Sequence, residues 1–241
     1  MNDARPAPTA VRQAEPSSLR LAGTLFVAGA VSGLAIAGAF RLTKPIIDAN
    51  EAQALRRAIY QVVPGSSKMQ AMVVRDGKLA PLPGNAPANE PVLYGAYDDA
   101  GKFLGYAIEN SGSGFQDTIN LLYGFDPARR MVTGLEILAS LETPGLGDKI
   151  AKDPEFAANF SDLVVDPEVL LVKTGRGAPN EVDAITGATI SSKAVVKIVN
   201  GGNQQWLARM PAAGQEPAWQ AAPDAPDAGK LAAKSGKASE D

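Results

Sequence analysis

The segment from Leu21 to Phe40 constrains this chain more than any other part of the sequence. It contains twenty residues and no charge, LAGTLFVAGAVSGLAIAGAF. A helix of about 20 apolar residues is long enough to cross the hydrocarbon core of a bilayer, so we predict a transmembrane helix over residues 21–41. A cleaved signal peptide is the alternative, because Ala37-Gly38-Ala39 resembles a cleavage site, although signal cores usually span only about 7–15 apolar residues.

The charges around this segment do not fix its orientation. Basic residues lie on both sides of it: Arg5, Arg12 and Arg20 before, and Arg41, Lys44, Arg56 and Arg57 after. The positive-inside rule needs an excess on one side, so it leaves the topology open. Gly29 and Gly33 form a small-xxx-small pair, a spacing that lets another membrane helix approach closely.

The rest of the chain divides by composition. Residues 1–20 are polar, and residues 42–65 read as an amphipathic juxtamembrane helix that ends at Pro64-Gly65. A folded domain is predicted over residues 66–209. After Met210 the chain is rich in Ala, Pro, Lys and Asp, with little to bury, so residues 210–241 are predicted to be a disordered tail.

The pattern within the domain indicates an α+β fold. Short β-like runs separated by turn residues follow one another: MVV, VLYGAY, FLGYAI, TINLLYGF and MVTGLEIL. Helices are expected over residues 154–160 and 192–207, and a further strand over residues 169–173. The complete prediction is a single N-terminal transmembrane helix, a mixed α/β domain and a disordered C-terminal tail.

Composition excludes several kinds of chemistry. The chain has no histidine and no cysteine, so it has no thiolate or imidazole metal ligands, no disulfides and no histidine general base. We predict no metal site and no catalytic side chain. The net charge of −3 gives no electrostatic support for nucleic-acid binding.

Two stretches carry enough small and polar residues to form a ligand site. In LETPGLGDKI (141–150), Pro144 fixes a backbone angle while Gly145 and Gly147 allow unusual angles or close approaches. It is either an ordinary loop or an edge for a flat ligand, and Gly112-Ser113-Gly114-Phe115 is a weaker candidate of the same kind. In DAITGATISS (183–192), Thr189 or Ser191 either caps the following helix or joins the helix N-terminus in holding a phosphate.

The second stretch resembles a family motif. Asp183-Ala184-Ile185-Thr186-Gly187-Ala188-Thr189 looks like D-x-x-[ST]-G-A-T, the flavinylation motif of the FMN-binding domain family. The resemblance implies that Thr189 carries FMN through a phosphoester, installed from FAD by a separate flavin transferase. It also implies that Thr186, Gly187 and Ala188 complete the cofactor site and that Asp183 helps the transferase to recognise or activate it.

A second signature extends the resemblance. Glu142-Thr143-Pro144-Gly145-Leu146-Gly147 is similar to the family's E-T-P-G-L-G, which implies that Glu142, Thr143, Gly145 and Leu146 lie near the isoalloxazine ring. The order of segments over residues 21–208 resembles the G subunit of the Rnf electron-transport complex, with the C subunit of the sodium-translocating NADH:quinone reductase as the alternative. Relatives often carry a histidine where this chain has Ser140.

The resemblance implies a relay protein that has no small-molecule substrate of its own. Electrons would pass between ferredoxin and NAD⁺, coupled to ion movement, through a single-pass subunit of the bacterial inner membrane whose flavin domain is periplasmic. Its partners would be the other membrane subunits and the flavin transferase. A hypothesis of another class, a membrane-anchored interaction module without a cofactor, stays open at this point.

Overall fold

The computed structural model describes residues 17–75, 77–82 and 90–220. The chain forms two units, residues 1–52 and residues 53–241. In the first unit the described residues belong almost entirely to helix α1, Ser18–Val62, whose last turns belong to the second unit. Among the described residues, α1 is the one helix long and apolar enough to cross a membrane, and its side chains from Leu21 to Phe40 are exposed.

The structure joins two helices that the sequence predicted as separate. Residues 42–62 continue the apolar segment in the same 45-residue helix, with Pro45 inside it. The change from apolar to amphipathic composition after Phe40 therefore does not end the helix. The predicted domain start at residue 66 is also late, because Ala58, Ile59 and Val62 are already buried in the second unit.

The second unit is built on a seven-stranded antiparallel sheet in the order β2-β1-β3-β4-β5-β6-β7. The strands are β1 Lys68–Arg75, β2 Lys78–Pro81, β3 Leu93–Tyr97, β4 Phe103–Ser113, β5 Thr118–Asp126, β6 Met131–Ser140 and β7 Leu163–Val164. A separate parallel pair consists of β8 Leu170–Val172 and β9 Glu181–Asp183. Together with the helices described in the next paragraphs, these strands confirm the predicted α+β class.

The central strands are buried on both faces, which explains their nearly continuous apolar sequence. On β5, Leu121 and Tyr123 face one core cluster while Leu122 faces the other. The last turns of α1 cover the Leu122 face, where the Thr133 hydroxyl donates to the Val62 carbonyl at 2.6 Å. The opposite face is covered mainly by helix α4, Thr189–Trp206.

Two short helices, α2 Lys149–Lys152 and α3 Pro154–Ala158, follow β6. A 3₁₀ turn, Leu207–Arg209, follows α4. The chain beyond Met210 does not leave the domain at once. Trp219 packs against Tyr97 with ring centroids 5.6 Å apart, and the Tyr97 hydroxyl donates to the Pro217 carbonyl at 2.8 Å. The predicted tail therefore includes residues that pack on the domain, Pro217 and Trp219, and residues 221–241 lie outside the described part.

Candidate functional site

The predicted phosphate-binding stretch connects the end of β9 to the start of α4. Ile185 to Ala188 form a β-turn, in which the Ala188 N–H donates to the Ile185 carbonyl at 2.9 Å. Gly187 occupies the third position with φ +82°, a conformation that glycine adopts without strain. The glycine is therefore explained by backbone conformation, and the turn delivers Thr189 to the first position of the helix.

Thr189 is exposed, as are Thr186 and Gly187 on the same turn. Ala188 is not: only 5% of its surface is exposed, and it packs in the core. Ala188, which the resemblance places in the cofactor site, therefore leaves no space beside Thr189, because its small side chain fits the core instead. Gly187 is exposed, and Lys149 Nζ lies 3.9 Å from the position that a Cβ would take there.

The capping interpretation of this stretch is also wrong. Helix α4 begins at Thr189, three residues before the predicted start, and within the described residues no side chain caps it. Of the two predicted caps, Thr189 is the first residue of the helix and Ser191 bonds elsewhere, as does the neighbouring Ser192. Ser191 Oγ donates to Glu142 Oε2 at 2.5 Å, and Ser192 Oγ donates to the Ala188 carbonyl at 3.0 Å.

The start of α4 consequently keeps unpaired donors. The Ser192 N–H closes the first helical hydrogen bond, to the Ala188 carbonyl at 2.9 Å. The N–H groups of Thr189, Ile190 and Ser191 have no acceptor among the residues that the structure describes. Such groups, together with the helix dipole, favour an anion. A phosphate on the Thr189 hydroxyl would lie beside them.

Asp183 and Thr186 border a different feature, an open groove with a volume of about 850 Å³. The Asp183 carboxylate accepts the Arg176 N–H at 3.0 Å, so part of its role is to hold the preceding loop. Three basic side chains line the groove: Lys149, Lys152 and Arg176. The Lys149 Nζ donates to the Thr186 carbonyl at 3.5 Å.

The E-T-P-G-L-G stretch folds as a turn directly after β6. The Leu146 N–H donates to the Thr143 carbonyl at 3.1 Å, and Gly145 at the third position has φ +78°, which matches the Pro-Gly signature of a type II turn. Gly147 has another role: a Cβ there would collide with Glu142 and lie 2.8 Å from Ser191 Oγ. The stretch is therefore a type II turn that packs against the start of α4 through Gly147.

Glu142 connects this turn with the other candidate loop. Its carboxylate accepts the backbone N–H groups of Phe115 at 2.8 Å and Gln116 at 2.9 Å, in addition to the Ser191 hydroxyl. Burial would raise the pKa of Glu142, but the hydrogen bonds from Ser191 and from the backbone of residues 115–117 lower it below its ordinary value. The carboxylate is therefore ionised at neutral pH.

Four large apolar side chains lie exposed on the segments that meet at Glu142. They are Phe115, Leu141, Leu146 and Ile190, with exposed fractions of 63%, 73%, 53% and 59%; we call them the apolar rim. Exposed apolar groups near convergent polar groups are typical of a ligand site. Of the rim, sequence reasoning singled out Leu146 and, more weakly, Phe115. Leu141 and Ile190 could have been found from the sequence because each lies next to a motif residue, Glu142 or Thr189.

The remaining predicted residues lie around the rim. Thr143 is half-buried, and its hydroxyl donates to the Gln116 side chain at 2.9 Å. Ser140 ends β6, and its hydroxyl accepts the Glu142 N–H at 3.3 Å. The structure thus brings together the Gly112–Phe115 loop, the Glu142–Gly147 turn and the start of α4, while Asp183 and Thr186 also border the basic groove.

Comparison with known proteins gives the same family assignment. Residues 114–202 match the FMN-binding domain family, and residues 12–62 match the N-terminal region of RnfG. The matched domain contains both the Glu142 turn and Thr189. The fold of the chain resembles that of two crystallised proteins. NqrC from Shewanella oneidensis has a TM-score of 0.52 and 17% identity over 65% of this chain and 95% of that one. The C subunit of the Na⁺-translocating NADH-quinone reductase from Parabacteroides distasonis also scores 0.52, with 20% identity over 67% and 94%.

Closer sequence relatives decide between the two families that the motifs left open. The G subunit of the ion-translocating oxidoreductase complex of Methanosarcina acetivorans is 33% identical over 72% of this chain and 86% of its own length. The G subunit of the Na⁺-translocating ferredoxin:NAD⁺ oxidoreductase complex of Acetobacterium woodii is 32% identical over 73% and 85%. At that identity and coverage, and with matches to both the RnfG N-terminal region and the FMN-binding domain, the chain belongs to the family of G subunits of ion-translocating oxidoreductase complexes.

Proposed function

We propose that this protein is the membrane-anchored flavoprotein subunit of an Rnf-type complex and that FMN is bound covalently to Thr189. The observation that carries the proposal is the position of Thr189. Its side chain is exposed at the first residue of α4, beside three N–H groups without an acceptor in the described chain and inside the matched FMN-binding domain. Ser191 and Ser192, the nearest other hydroxyls on α4, are buried.

The attachment needs no catalytic group from this chain. FAD consists of FMN joined to AMP, so transfer forms a bond between the Thr189 oxygen and the FMN phosphorus and breaks the bond to AMP. The threonine proton leaves, and AMP departs with the electron pair. A separate flavin transferase would catalyse this step, and Asp183 and Thr186 border the groove where it would approach.

The phosphate would be held by charge and by hydrogen bonds. The N–H groups of Thr189, Ile190 and Ser191 supply donors at the positive end of the helix dipole. Lys193 is exposed one turn further along α4. Because residues four apart share one face of a helix, its ammonium group could approach a phosphate on Thr189. The phosphodiester formed with Thr189 carries one negative charge, which suits this end of α4.

The apolar rim would hold the isoalloxazine ring. Leu146 and Thr143 come from the Glu142–Gly147 turn, and Gly145 leaves space beside them, since nothing lies within 4 Å of its missing Cβ. FMN supplies the electron-transfer chemistry. The protein orients the ring, shields one part of it from water and fixes its phosphate.

The same proposal covers the cellular setting. Helix α1 would be about 68 Å long at 1.5 Å per residue, so residues 21–40 suffice for the membrane and the remainder extends beyond it. We place the flavin domain on the periplasmic side of the inner membrane. The partners are the other membrane subunits of the complex, between which the flavin relays electrons from ferredoxin toward NAD⁺ or in reverse.

The test is whether flavin survives denaturation. The full chain, coexpressed with a flavin transferase and purified in detergent, should remain yellow and fluorescent after acid precipitation, and the same chain made without the transferase should be colourless. A cofactor released by acid would show non-covalent binding. A chain that gains no flavin under either condition would favour an interaction module instead.

A further inference from the structure

We propose that Glu142 is a positioning residue: its buried carboxylate holds the 115–116 backbone and the Glu142–Gly147 turn against the start of α4. It thereby fixes where Thr189 and the apolar rim lie relative to each other. This inference rests on the function proposed above and changes the role that the family signature implied for Glu142, from a group beside the ring to one that acts through its neighbours.

The hydrogen bonds of the carboxylate leave it little capacity for a ligand. Three donors converge on its two oxygens: the N–H groups of Phe115 and Gln116 on Oε1, and the Ser191 hydroxyl on Oε2. A carboxylate offers about four lone-pair sites in all. Only 5% of the Glu142 surface is exposed, so a flavin ring outside the protein has almost no access to it.

The surrounding backbone is shaped to admit this carboxylate. A Cβ on Gly114 would collide with Oε1, and a Cβ on Gly147 would collide with Oε2. The two glycines belong to different motifs, and Ser191 belongs to a third. All three converge on one side chain, although they are separated by up to 77 positions, Gly114 to Ser191.

Each member of the apolar rim is adjacent to one of these contacts. Phe115 contributes its own N–H, and Leu141 precedes Glu142 itself. Leu146 precedes Gly147, and Ile190 lies between Thr189 and Ser191. A shift of any one segment therefore moves a rim residue relative to the Thr189 oxygen. Because misplacement by about 1 Å can cost about 100-fold in rate, the carboxylate controls attachment without touching the cofactor.

The first experiment uses the full chain in detergent without flavin. Hydrogen exchange is measured for wild type, Ser191→Ala, Glu142→Ala and Glu142→Gln, with Thr133→Val as a control that removes a hydroxyl hydrogen bond to Val62, away from this cluster. We expect the Phe115 and Gln116 amides to exchange about tenfold faster or more in Glu142→Ala. Glu142→Gln should stay near wild type, because its carbonyl oxygen accepts both amides and its NH₂ donates to Ser191 Oγ.

The second experiment measures the rate of flavinylation by a purified flavin transferase. Ser191→Ala and Glu142→Ala should both be slower, by about 10- to 100-fold for Glu142→Ala, and the double variant should be no slower than Glu142→Ala alone, because both remove one connection. Glu142→Gln should restore most of the rate, and Thr133→Val should match wild type.

Several results would overturn the inference. They are wild-type rates in Ser191→Ala and Glu142→Ala, or a Glu142→Gln variant as slow as Glu142→Ala, which would mean that the charge itself acts on the flavin or the reaction. If Glu142→Ala does not fold, Ser191→Ala and Glu142→Gln decide the question. The exchange measurement needs no flavin, so unchanged exchange rejects the positioning role, whereas a wild-type chain that gains no flavin counts against the proposed function.

Discussion

At the scale of single residues, the two glycines of the Glu142–Gly147 turn serve different purposes. Gly145 has φ +78° with open space around it, while Gly147 has no positive φ but lies against Glu142 and Ser191. Sequence spacing predicted that glycines here allow unusual angles or close approaches, without indicating which glycine does which. The structure separates the two roles, and substitutions can therefore separate them as well.

Replacing glycine by Asn instead of Ala should restore stability at position 145 but not at position 147. Gly145→Ala should lower the free energy of unfolding by about 1–2 kcal/mol through backbone strain, and Gly145→Asn should recover much of that, since Asn tolerates positive φ. Gly147→Ala should cost about 1–3 kcal/mol by overpacking, with no recovery in Gly147→Asn. Chemical denaturation of the four variants measures this, and equal recovery at both positions would contradict the assignment.

At the scale of elements, the sequence predicted the long strands and the short β8, but it did not predict β2, β7 or β9. The runs around β1 and β3 to β6 alternate or are continuously apolar, and each became a strand. The two-residue β7 and the three-residue β9 carry too little periodicity to stand out. Helix α4 was predicted to begin at residue 192 because Ser191 and Thr189 resemble caps. Ser191 does not cap the helix because its hydroxyl donates to Glu142, 49 positions earlier in the chain. A contact over that separation cannot be predicted from a local sequence pattern.

The candidate site was also predicted only in part: its residues were identified, but the contacts between them were not. Motif matches identified Glu142, Gly145, Leu146 and Thr189, and the structure places their segments around one helix start. The mutual contacts did not follow from the motifs, because they depend on how the β4–β5 loop returns beside the turn after β6. The predicted tail boundary was wrong for a related reason: Trp219 and the Pro217 carbonyl, in a polar, proline-rich segment, contact Tyr97 on β3.

The segment after Met210 should therefore contribute to stability. Trp219 packs on Tyr97, and the Lys68 ammonium lies 5.7 Å from the centre of its ring. Trp219→Ala should lower the free energy of unfolding by about 1–2 kcal/mol, whereas Gln215→Ala, at an exposed position of the same segment, should change it by less than about 0.5 kcal/mol. Thermal and chemical denaturation compare the two, and equal stability would show that the contact is not maintained in solution.

At the scale of the whole molecule, the topology is testable independently of the flavin. The basic residues on both sides of the apolar segment do not orient it, so the periplasmic location of the domain is a prediction from the family. A reporter that is active only in the periplasm, fused after Asp241, should be active in cells. The control is the same reporter on a known exported domain. An inactive fusion beside an active control would place the domain in the cytoplasm.

The chain as a whole lacks histidine and cysteine, yet it belongs to a family of electron-transporting complexes. A bound flavin resolves this, because it supplies the redox chemistry while hydroxyl, amide and apolar groups suffice to hold it. Covalent attachment would also prevent FMN from being lost into the periplasm. Covalent flavin binding would therefore depend on one oxygen atom, that of the Thr189 hydroxyl.

The most direct test identifies that oxygen. The full chain and its Thr189→Ala and Thr186→Ser variants are coexpressed with a flavin transferase, compared by in-gel flavin fluorescence and analysed by peptide mass spectrometry. Thr189 is exposed and forms no cap, so Thr189→Ala should remain folded and inserted but carry no covalent flavin. Thr186→Ser should retain it, and in wild type the FMN phosphoester should map to Thr189. Fluorescence that persists in Thr189→Ala, or a flavin peptide that maps to Ser191 or Ser192, would contradict the account.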